Sequence, residues 1–430
     1  MKFYIETYGC QMNVADSELV TTILLNNGNE KVDTIENAEV IIFNTCSVRQ
    51  HAEDRVLGRI ANELKRKKAD PRIRIGVIGC MAQRIGNDLI ASNAGVDFVA
   101  GVDQYDSLPA IIADCNLGSK LEFDEFQNYS SIQPSHAPGV CGFVTIMRGC
   151  NNYCSYCIVP YVRGRERSRP LADIVTDVSN AVANGIRDIT LLGQNVNSYN
   201  YNGYTFPKLL KELNKLDELS RIRFVTSHPK DLSDELIEVM ATQDKICEHI
   251  HLPMQSGDND ILAKMNRNYT IEDYMNLIKK LREAIPQIAI TTDVIAGFPG
   301  ESDEQFYNTV TAMKNIGFDY AFCFKYSNRE GTEAENFPNQ IEEKVRLTRL
   351  QKLIGIQRHQ TKLKFEAQVG SYTEVLVEGK SKLGGNQLSG KTRDFKICVF
   401  DGYEEQIGSL VKVKIIDATA GTLIGEQNNV

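Results

Sequence analysis

The chain has 430 residues, a formal charge of −8, 42% apolar residues and 24% charged ones. That length accommodates two or three domains, and no apolar run approaches a membrane span, so a helical membrane protein is excluded. The opening MKFYIETYGC lacks a basic start followed by a long apolar stretch, so the expected compartment is the cytoplasm. There the eleven cysteines serve as ligands, catalysts or buried thiols rather than as disulfides.

Up to about residue 117, strand-like runs alternate with helix-like ones: KFYIET, DSELVTTILLNNG, EVIIFNT, QHAEDRVLGRIANELKRKK and IRIGVIG. This rhythm predicts a parallel sheet with helices packed on it. Residues 118–135 are polar and irregular and read as a linker. From 136 to 365 come six strand-to-helix units, with strands GFVTIMRG, DITLLGQN, RIRFVTSHP, HIHLPMQS, AITTDVIAGF and YAFCFKYS. Six units predict a partial α/β barrel, eight being a full one. Ser302 and Gln305 have the spacing of a capping box at the start of the fifth helix. From 366 to 430, short alternating runs (YTEVLVEG, KICVF, SLVKVKIIDA) predict a small β-barrel of the kind that often binds oligonucleotides.

Cys150, Cys154 and Cys157 form C-x3-C-x2-C directly after the first barrel strand. Tight thiolate clusters bind soft metals, and the C-terminal mouth of a barrel is where chemistry is done. Three thiolates on a 4Fe–4S cluster leave one iron open, whereas a structural zinc would need a fourth ligand from elsewhere. Tyr156 is placed to pack beside such a cluster. Cys10, Cys46 and Cys80 lie far apart in sequence, yet each directly follows a predicted strand. All strand ends of a parallel sheet share one edge, so these thiols can converge there. They read as a second iron–sulfur site; the alternative is three small buried hydrophobes. Cys115, Cys141, Cys247, Cys323 and Cys398 show no such pattern and read as structural.

The C-x3-C-x2-C loop with an aromatic before its last cysteine resembles the radical S-adenosylmethionine superfamily. With a second cysteine site before the barrel and a β-domain after it, the whole chain resembles the methylthiotransferases. YGCQMNVADSE, NTCSVRQHAEDRV and GCMAQR are similar to the MiaB branch of that family. The resemblance implies two 4Fe–4S clusters, S-adenosylmethionine both as methyl donor and as source of a 5′-deoxyadenosyl radical, and a C-terminal TRAM domain. The implied reaction is methylthiolation at C2 of N6-isopentenyladenosine, at position 37 of tRNA. Sister branches act on threonylcarbamoyladenosine or on a ribosomal-protein aspartate. An electron donor such as flavodoxin or ferredoxin, and a sulfur donor, are implied partners. A non-catalytic iron–sulfur carrier or RNA-binding protein is the contrasting class, and it would not need cofactor-type motifs at a barrel mouth.

Where many relatives of that superfamily carry Gly-Gly-Glu, this chain has Gly193, Gln194 and Asn195, whose amide oxygens can accept the same hydrogen bond without charge. Ser227, His228, Gln255 and Asp293, Val294, Ile295 and Gly297 also end strands at the mouth and are candidate cofactor contacts; loop packing is the plain alternative for each. His249 and His251 read as hydrogen-bonded residues of the barrel interior. Arg163, Arg165, Arg167 and Arg169 follow the cysteine loop, and Lys391, Arg393 and Lys396 lie in a second basic segment, GKSKLGGNQLSGKTRDFK. A third is EKVRLTRLQKLIGIQRHQTKLK. In an acidic chain these three runs read as a track for RNA phosphates.

Overall fold

The computed structural model describes residues 1–47, 50–92, 95–114, 118–382 and 384–427, with only the backbone of 50–52. Cys115 and the Val48–Arg49 pair of the second N-terminal motif lie outside the described residues.

The N-terminal unit runs β1 (Lys2–Tyr8), α1 (Gln11–Asn26), β2 (Glu30–Lys31), β3 (Val40–Thr45), α2 (Gln50–Ala69), β4 (Arg74–Ile78), α3 (Cys80–Ala91), β5 (Phe98–Ala100), α4 (Leu108–Ala113) and β6 (Ser119–Lys120). Its sheet is parallel throughout, in the order β2-β1-β3-β4-β5-β6. Every residue of β3 is buried, as expected of a strand covered on both faces. Val40 and Ile42 point into a core shared with α1 and α4, while Ile41 and Phe43 point into one shared with α2 and α3. The short strands β2, β5 and β6, of which β2 and β6 are the edges, were not legible in sequence.

Residues 118–135, expected to be a linker, pack against this unit. Ser119 and Lys120 add β6 to its sheet. The Tyr129 ring is buried, stacks on Tyr105, and its hydroxyl donates to the carbonyl of Val102 at 3.0 Å.

The central unit places β7 (Cys141–Thr145), β10 (Asp188–Leu192) and β13 (Arg221–Phe224) in one parallel sheet. A second holds β14 (His249–His251), β15 (Ala289–Ala296) and β16 (Tyr320–Lys325). A parallel bridge from Ile222 to Ile246 joins the two sheets across the β13–β14 seam. The six expected strands therefore stand in chain order as an open barrel. Between β7 and β10 run β8 (Met147–Arg148), α5 (Val159–Arg163), β9 (Arg167–Ser168) and α6 (Leu171–Ala183); β8 and β9 pair antiparallel and close the cysteine loop at its base. β11 (Asn200–Tyr201), β12 (Tyr204–Thr205), α7 (Phe206–Leu213), α8 (Asp234–Thr242), α9 (Asn259–Lys264), α10 (Ile271–Ala284), α11 (Asp303–Ile316) and α12 (Glu343–Glu366) complete the unit. α11 opens with the expected capping box: Ser302 Oγ accepts from the Gln305 N–H, and Gln305 Oε1 accepts from the Ser302 N–H.

The C-terminal unit comprises β17 (Tyr372–Lys380), β18 (Gln387–Thr392), β19 (Ile397–Asp401), β20 (Leu410–Ala418) and β21 (Leu423–Glu426), closed as a barrel in the order β17-β18-β19-β21-β20. Its core holds Val375, Val377, Phe400, Val413 and Leu423.

Candidate active site at the barrel mouth

The strand order of the N-terminal sheet reverses between β1 and β3, because the chain goes from β1 to the edge strand and then returns to the other side. Ligands of open α/β sheets sit at such a reversal, beyond the strand C-termini. Cys10 follows β1, Cys46 follows β3 and Cys80 follows β4, so the three thiols line this crevice. Close backbone packing holds them there. A Cβ on Gly9 would sit 2.4 Å from the Cys46 Cβ, and one on Gly79 would sit 2.5 Å from Asn44 Oδ1. Both glycines also have positive φ, 127° and 87°, a region open to glycine at no steric cost. Asn13 and Asn44 brace the crevice: Asn13 Nδ2 donates to Asn44 Oδ1 at 2.9 Å, and Asn13 Oδ1 lies 3.3 Å from Cys10 Sγ. A hydrogen bond from Cys46 is the main force drawing the Cys10 thiol down to about 6. Burial pushes Cys80 the other way.

Across the interface, Cys150 and Cys154 are buried and Cys157 is half-buried in the loop between β8 and α5. Burial, reinforced by the neighbouring Cys154, pushes Cys157 up to about 12. Tyr156 packs on the apolar cluster of Ile261, Met265, Ile295 and Phe298. Among the described residues no three His, Cys, Asp or Glu side chains close on a single-ion site. Two sets of three thiols on loop ends have the soft ligand chemistry that the irons of a cluster take.

The strand ends beside the cysteine loop carry unsatisfied oxygens. Gln194 Oε1, Asn195 Oδ1, Ser227 Oγ and Gln255 Oε1 are all buried without a hydrogen-bond partner in the protein. Each such atom costs about 1–3 kcal/mol. Four of them, following β10, β13 and β14, form a donor-seeking lining that fits a ligand with ammonium and hydroxyl groups, as S-adenosylmethionine has. His228 Nδ1 accepts from the Lys230 N–H at 3.2 Å, and burial depresses the ring to about 2. The ring is thus neutral, with its proton on Nε2. Gly193 packs on Met147, leaving no room for a side chain. Asp293 and Val294 lie on β15, where Val294 bridges to Gln255; Ile295 packs by Tyr156, and the Gly297 N–H donates to Glu301 at 2.8 Å.

The two halves meet at this mouth. Met12 and Ala15 of the N-terminal unit cluster with Leu192 at the end of β10, and Cys10, Phe143 and Val225, the residue after β13, pack against that cluster. His249 and His251 both hydrogen-bond Thr291 Oγ1, at 3.2 and 3.0 Å, in keeping with an interior role.

The basic runs have a different fate from the one expected. Arg163 is buried, with Nη2 2.8 Å from Asp16 and Nε 3.1 Å from Cys80 Sγ. Arg167 pairs with Asp103 at 2.7 Å, and buried Arg169 pairs with Asp177 at 2.9 Å. Of the four arginines, only Arg165 is exposed. In the C-terminal unit Arg393 grips Glu248 and the carbonyl of Ile246, Lys391 pairs with Glu378 at 2.8 Å, and buried Lys396 pairs with Asp394. The β18–β19 turn thus plugs the N-terminal end of the open barrel. Phe395 stacks on His249 with ring centres 4.7 Å apart, and Arg223 donates to the carbonyls of Thr392 and Arg393. The phosphate-track expectation is corrected for Arg163, Arg167, Arg169, Arg393 and Lys396. A cation committed to a buried or bidentate carboxylate is not free for phosphate.

Sequence reasoning also missed residues. Arg267 is buried, with Nη1 3.5 Å from Cys154 Sγ and Nη2 3.0 Å from the carbonyl of Pro253. Tyr320, Phe322 and Phe324 are exposed along one face of β16 and pair in register with Thr291, Asp293 and Ile295. The alternation in YAFCFK was the available signal for the latter; nothing in spacing marked Arg267. Of the remaining cysteines, Cys247 and Cys398 are buried, Cys323 is half-buried and Cys141 is exposed at the start of β7, where core packing does not describe it.

Residues 144–313 match the Radical SAM superfamily, residues 366–427 the TRAM domain, and residues 2–101 a family described as uncharacterized protein family UPF0004. Among solved structures, the radical S-adenosylmethionine methyltransferase TsrM from Kitasatospora setae is similar at 14% identity, with a TM-score of 0.61 over 78% of this chain and 73% of that one. The cobalamin-dependent radical enzyme OxsB is similar at 11% identity, with a TM-score of 0.56 over 82% of this chain and 55% of that one. These likenesses speak for the fold alone. Proteins named tRNA-2-methylthio-N(6)-dimethylallyladenosine synthase are far nearer. The one from Bacteroides thetaiotaomicron is 43% identical over 99% of this chain and 96% of its own length. Those from a Thermoanaerobacter species and from Porphyromonas gingivalis are each 44% identical over 99% of this chain and 92% and 94% of theirs. With three matched domains in order and full-length identity at this level, the chain belongs to the tRNA-2-methylthio-N(6)-dimethylallyladenosine synthase family.

Proposed function

We propose that this chain replaces the C2 hydrogen of N6-isopentenyladenosine, at position 37 in the anticodon arm of tRNA, with a methylthio group. The observation that carries this reading is the apolar cluster of Met12, Ala15 and Leu192, against which Cys10 packs from the N-terminal unit and Phe143 and Val225 from the barrel; it sets the N-terminal thiols beside the mouth where the other three lie. In this reading Cys150, Cys154 and Cys157 hold one 4Fe–4S cluster, and Cys10, Cys46 and Cys80 hold another. When bound, the first cluster with S-adenosylmethionine would supply one-electron chemistry for breaking the C2–H bond, and the second would supply sulfur, with a further S-adenosylmethionine as methyl donor.

The chain's own residues orient and enclose. Gln194 and Asn195 accept from the cofactor's ammonium group. Ser227 and Gln255 meet its hydroxyls, and neutral His228 donates from Nε2. Asp293, Val294, Ile295 and Gly297 form the wall behind it, with Tyr156 beside the cluster. The exposed row Tyr320, Phe322 and Phe324 continues that wall to the open edge of the barrel, where aromatic faces stack unpaired bases. Phosphate contacts fall to exposed cations, Arg165, Lys344, Arg358 and Lys382, rather than to the buried arginines. Residues 1–117 present sulfur, 136–365 generate the radical and 366–430 brace the barrel and hold RNA, with 118–135 joining the first two. An electron donor such as flavodoxin or ferredoxin and a sulfur donor complete the partners. Among the described residues no helix is long and apolar enough to cross a membrane, and action on tRNA sets the working compartment as the cytoplasm.

Nucleoside analysis of bulk tRNA from cells with and without the gene tests this. The methylthio derivative of isopentenyladenosine should vanish and its unthiolated precursor accumulate. Loss of the threonylcarbamoyl derivative instead, or of methylthio-aspartate from ribosomal protein, would assign the chain to a sister reaction.

A further inference from the structure

Asp16 on α1 is fully buried and holds two guanidinium groups from the barrel: Arg148 Nη2 at 2.7 Å and Arg163 Nη2 at 2.8 Å. Tyr105 adds its hydroxyl at 3.3 Å. Arg148 stands two residues before Cys150, and Arg163 ends the helix that follows Cys157. Arg163 then reaches past Asp16, and its Nε lies 3.1 Å from Cys80 Sγ. One side chain of the cysteine-loop segment thus donates to a thiol of the other cysteine set. Its Nη1 is also buried and has no partner in the protein, so a donor is left over on the same planar group. A guanidinium carries its donors in a fixed fork and does not lose its charge. Asp16 anchors that fork through Nη2, and Tyr129 covers Arg148 with its ring 4.8 Å away.

We propose that Arg163 is the positioning residue that couples the two cysteine sites: anchored on Asp16, it donates from the barrel to Cys80 and to the sulfur-rich group that Cys10, Cys46 and Cys80 hold. The inference rests on the reading of these three thiols as an iron–sulfur site. Hydrogen bonds and positive charge at cluster sulfurs favour the reduced form, because they offset the added electron. Arg163 therefore holds the midpoint potential of the N-terminal site above what the three thiolates alone would set. Docking of the barrel onto the N-terminal unit completes that environment, so the two sites are tuned together.

The test uses the full chain with Cys150, Cys154 and Cys157 replaced by alanine, reconstituted anaerobically so that iron resides only at the N-terminal site. Arg163→Gln and Arg163→Lys are placed on this parent, with Arg169→Gln as a control that removes an equally buried arginine not touching Cys80. Potentiometric titration followed by electron paramagnetic resonance is the readout. The glutamine variant should shift the midpoint to more negative potential and alter the signal of the reduced state. The lysine variant, which keeps the charge but not the fork, should fall between, and Arg169→Gln should match the parent. If Arg163→Gln loses iron while Arg169→Gln keeps it, the coupling also stands. Unchanged potential and spectrum in both Arg163 variants, or equal iron loss in Arg163→Gln and Arg169→Gln, overturns the proposal. A parent that binds no iron overturns the reading beneath it, and the inference with it.

Discussion

Replacing His136 by glutamine should destabilise the chain more at pH 6 than at pH 9.5. His136 ties the N-terminal unit to the barrel: Nδ1 lies 3.2 Å from Glu18 on α1, and Nε2 lies 2.8 Å from Asp177 on α6. Both contacts are shielded, with the side chains of His136, Asp177 and Glu18 only 2%, 1% and 16% exposed. Burial by itself pulls the ring's affinity for protons down. The hydrogen bonds to Asp177 and Glu18 more than offset that, raising the ring from 6.5 to about 9. The cation facing the pair is Arg169, which holds the other Asp177 oxygen at 2.9 Å. At about 1.4 kcal/mol per unit, the shift makes protonation worth about 3 kcal/mol to the folded state. The folded value is the raised one, so this stability is complete below pH 6.5 and is lost as pH climbs through about 9. Glutamine keeps a hydrogen bond but never carries the charge. For a chain of this length, about 3 kcal/mol corresponds to roughly 3 °C in melting temperature. The assay is thermal unfolding of wild type and variant at half-unit pH steps, reading only their difference, in which groups common to both cancel. The gap should be widest near pH 6 and close towards pH 9.5. A gap that is flat, or that widens with pH, would refute the raised value and the clamp built on it.

Anaerobic reconstitution should load roughly eight irons per chain if each cysteine set takes a 4Fe–4S cluster, and the Cys150/Cys154/Cys157→Ala variant should keep about half; complete loss would deny the N-terminal thiols an independent site. The Cys10/Cys46/Cys80→Ala variant should still cleave S-adenosylmethionine under reducing conditions while making no methylthio product, which mass spectrometry of the nucleosides will show. Arg393→Ala should lower the melting temperature through the lost Glu248 pairing, worth about 1 kcal/mol at its partial exposure, and leave the salt dependence of tRNA binding as it was. A flattened slope of log affinity against log salt would return this residue to the RNA. Phe322→Ala should raise the KM for an anticodon stem-loop about 5- to 150-fold, the equivalent of one lost stack, with cofactor cleavage in the absence of RNA unaltered.

What the sequence determined by itself is local. Continuous apolar runs such as EVIIFNT mark strands buried on both faces, and a residue directly after such a run stands at the strand's C-terminal edge. That rule alone brought Cys10, Cys46 and Cys80 to one crevice although 70 residues separate the first from the last. The six barrel strands, the capping box of α11 and the C-x3-C-x2-C loop were legible for the same reason, since period and spacing are properties of neighbouring residues. Who partners a charged side chain is not. Arg163 and Asp16 are 147 residues apart, and His136 and Glu18 are 118 apart. A run of arginines looks the same in sequence whether it faces phosphate or a buried carboxylate. Only the docking of the N-terminal sheet on the barrel put Asp16 and Asp103 in reach and turned an expected RNA track into an interface. Docking of the β18–β19 turn on the central barrel likewise committed Arg393 to Glu248 and buried Lys396 beside Asp394. The barrel's incompleteness, which depends on the order of all six strands, left Tyr320, Phe322 and Phe324 open to solvent rather than in a core. Burial and pairing are decided by which surfaces meet, and that is set by tertiary structure.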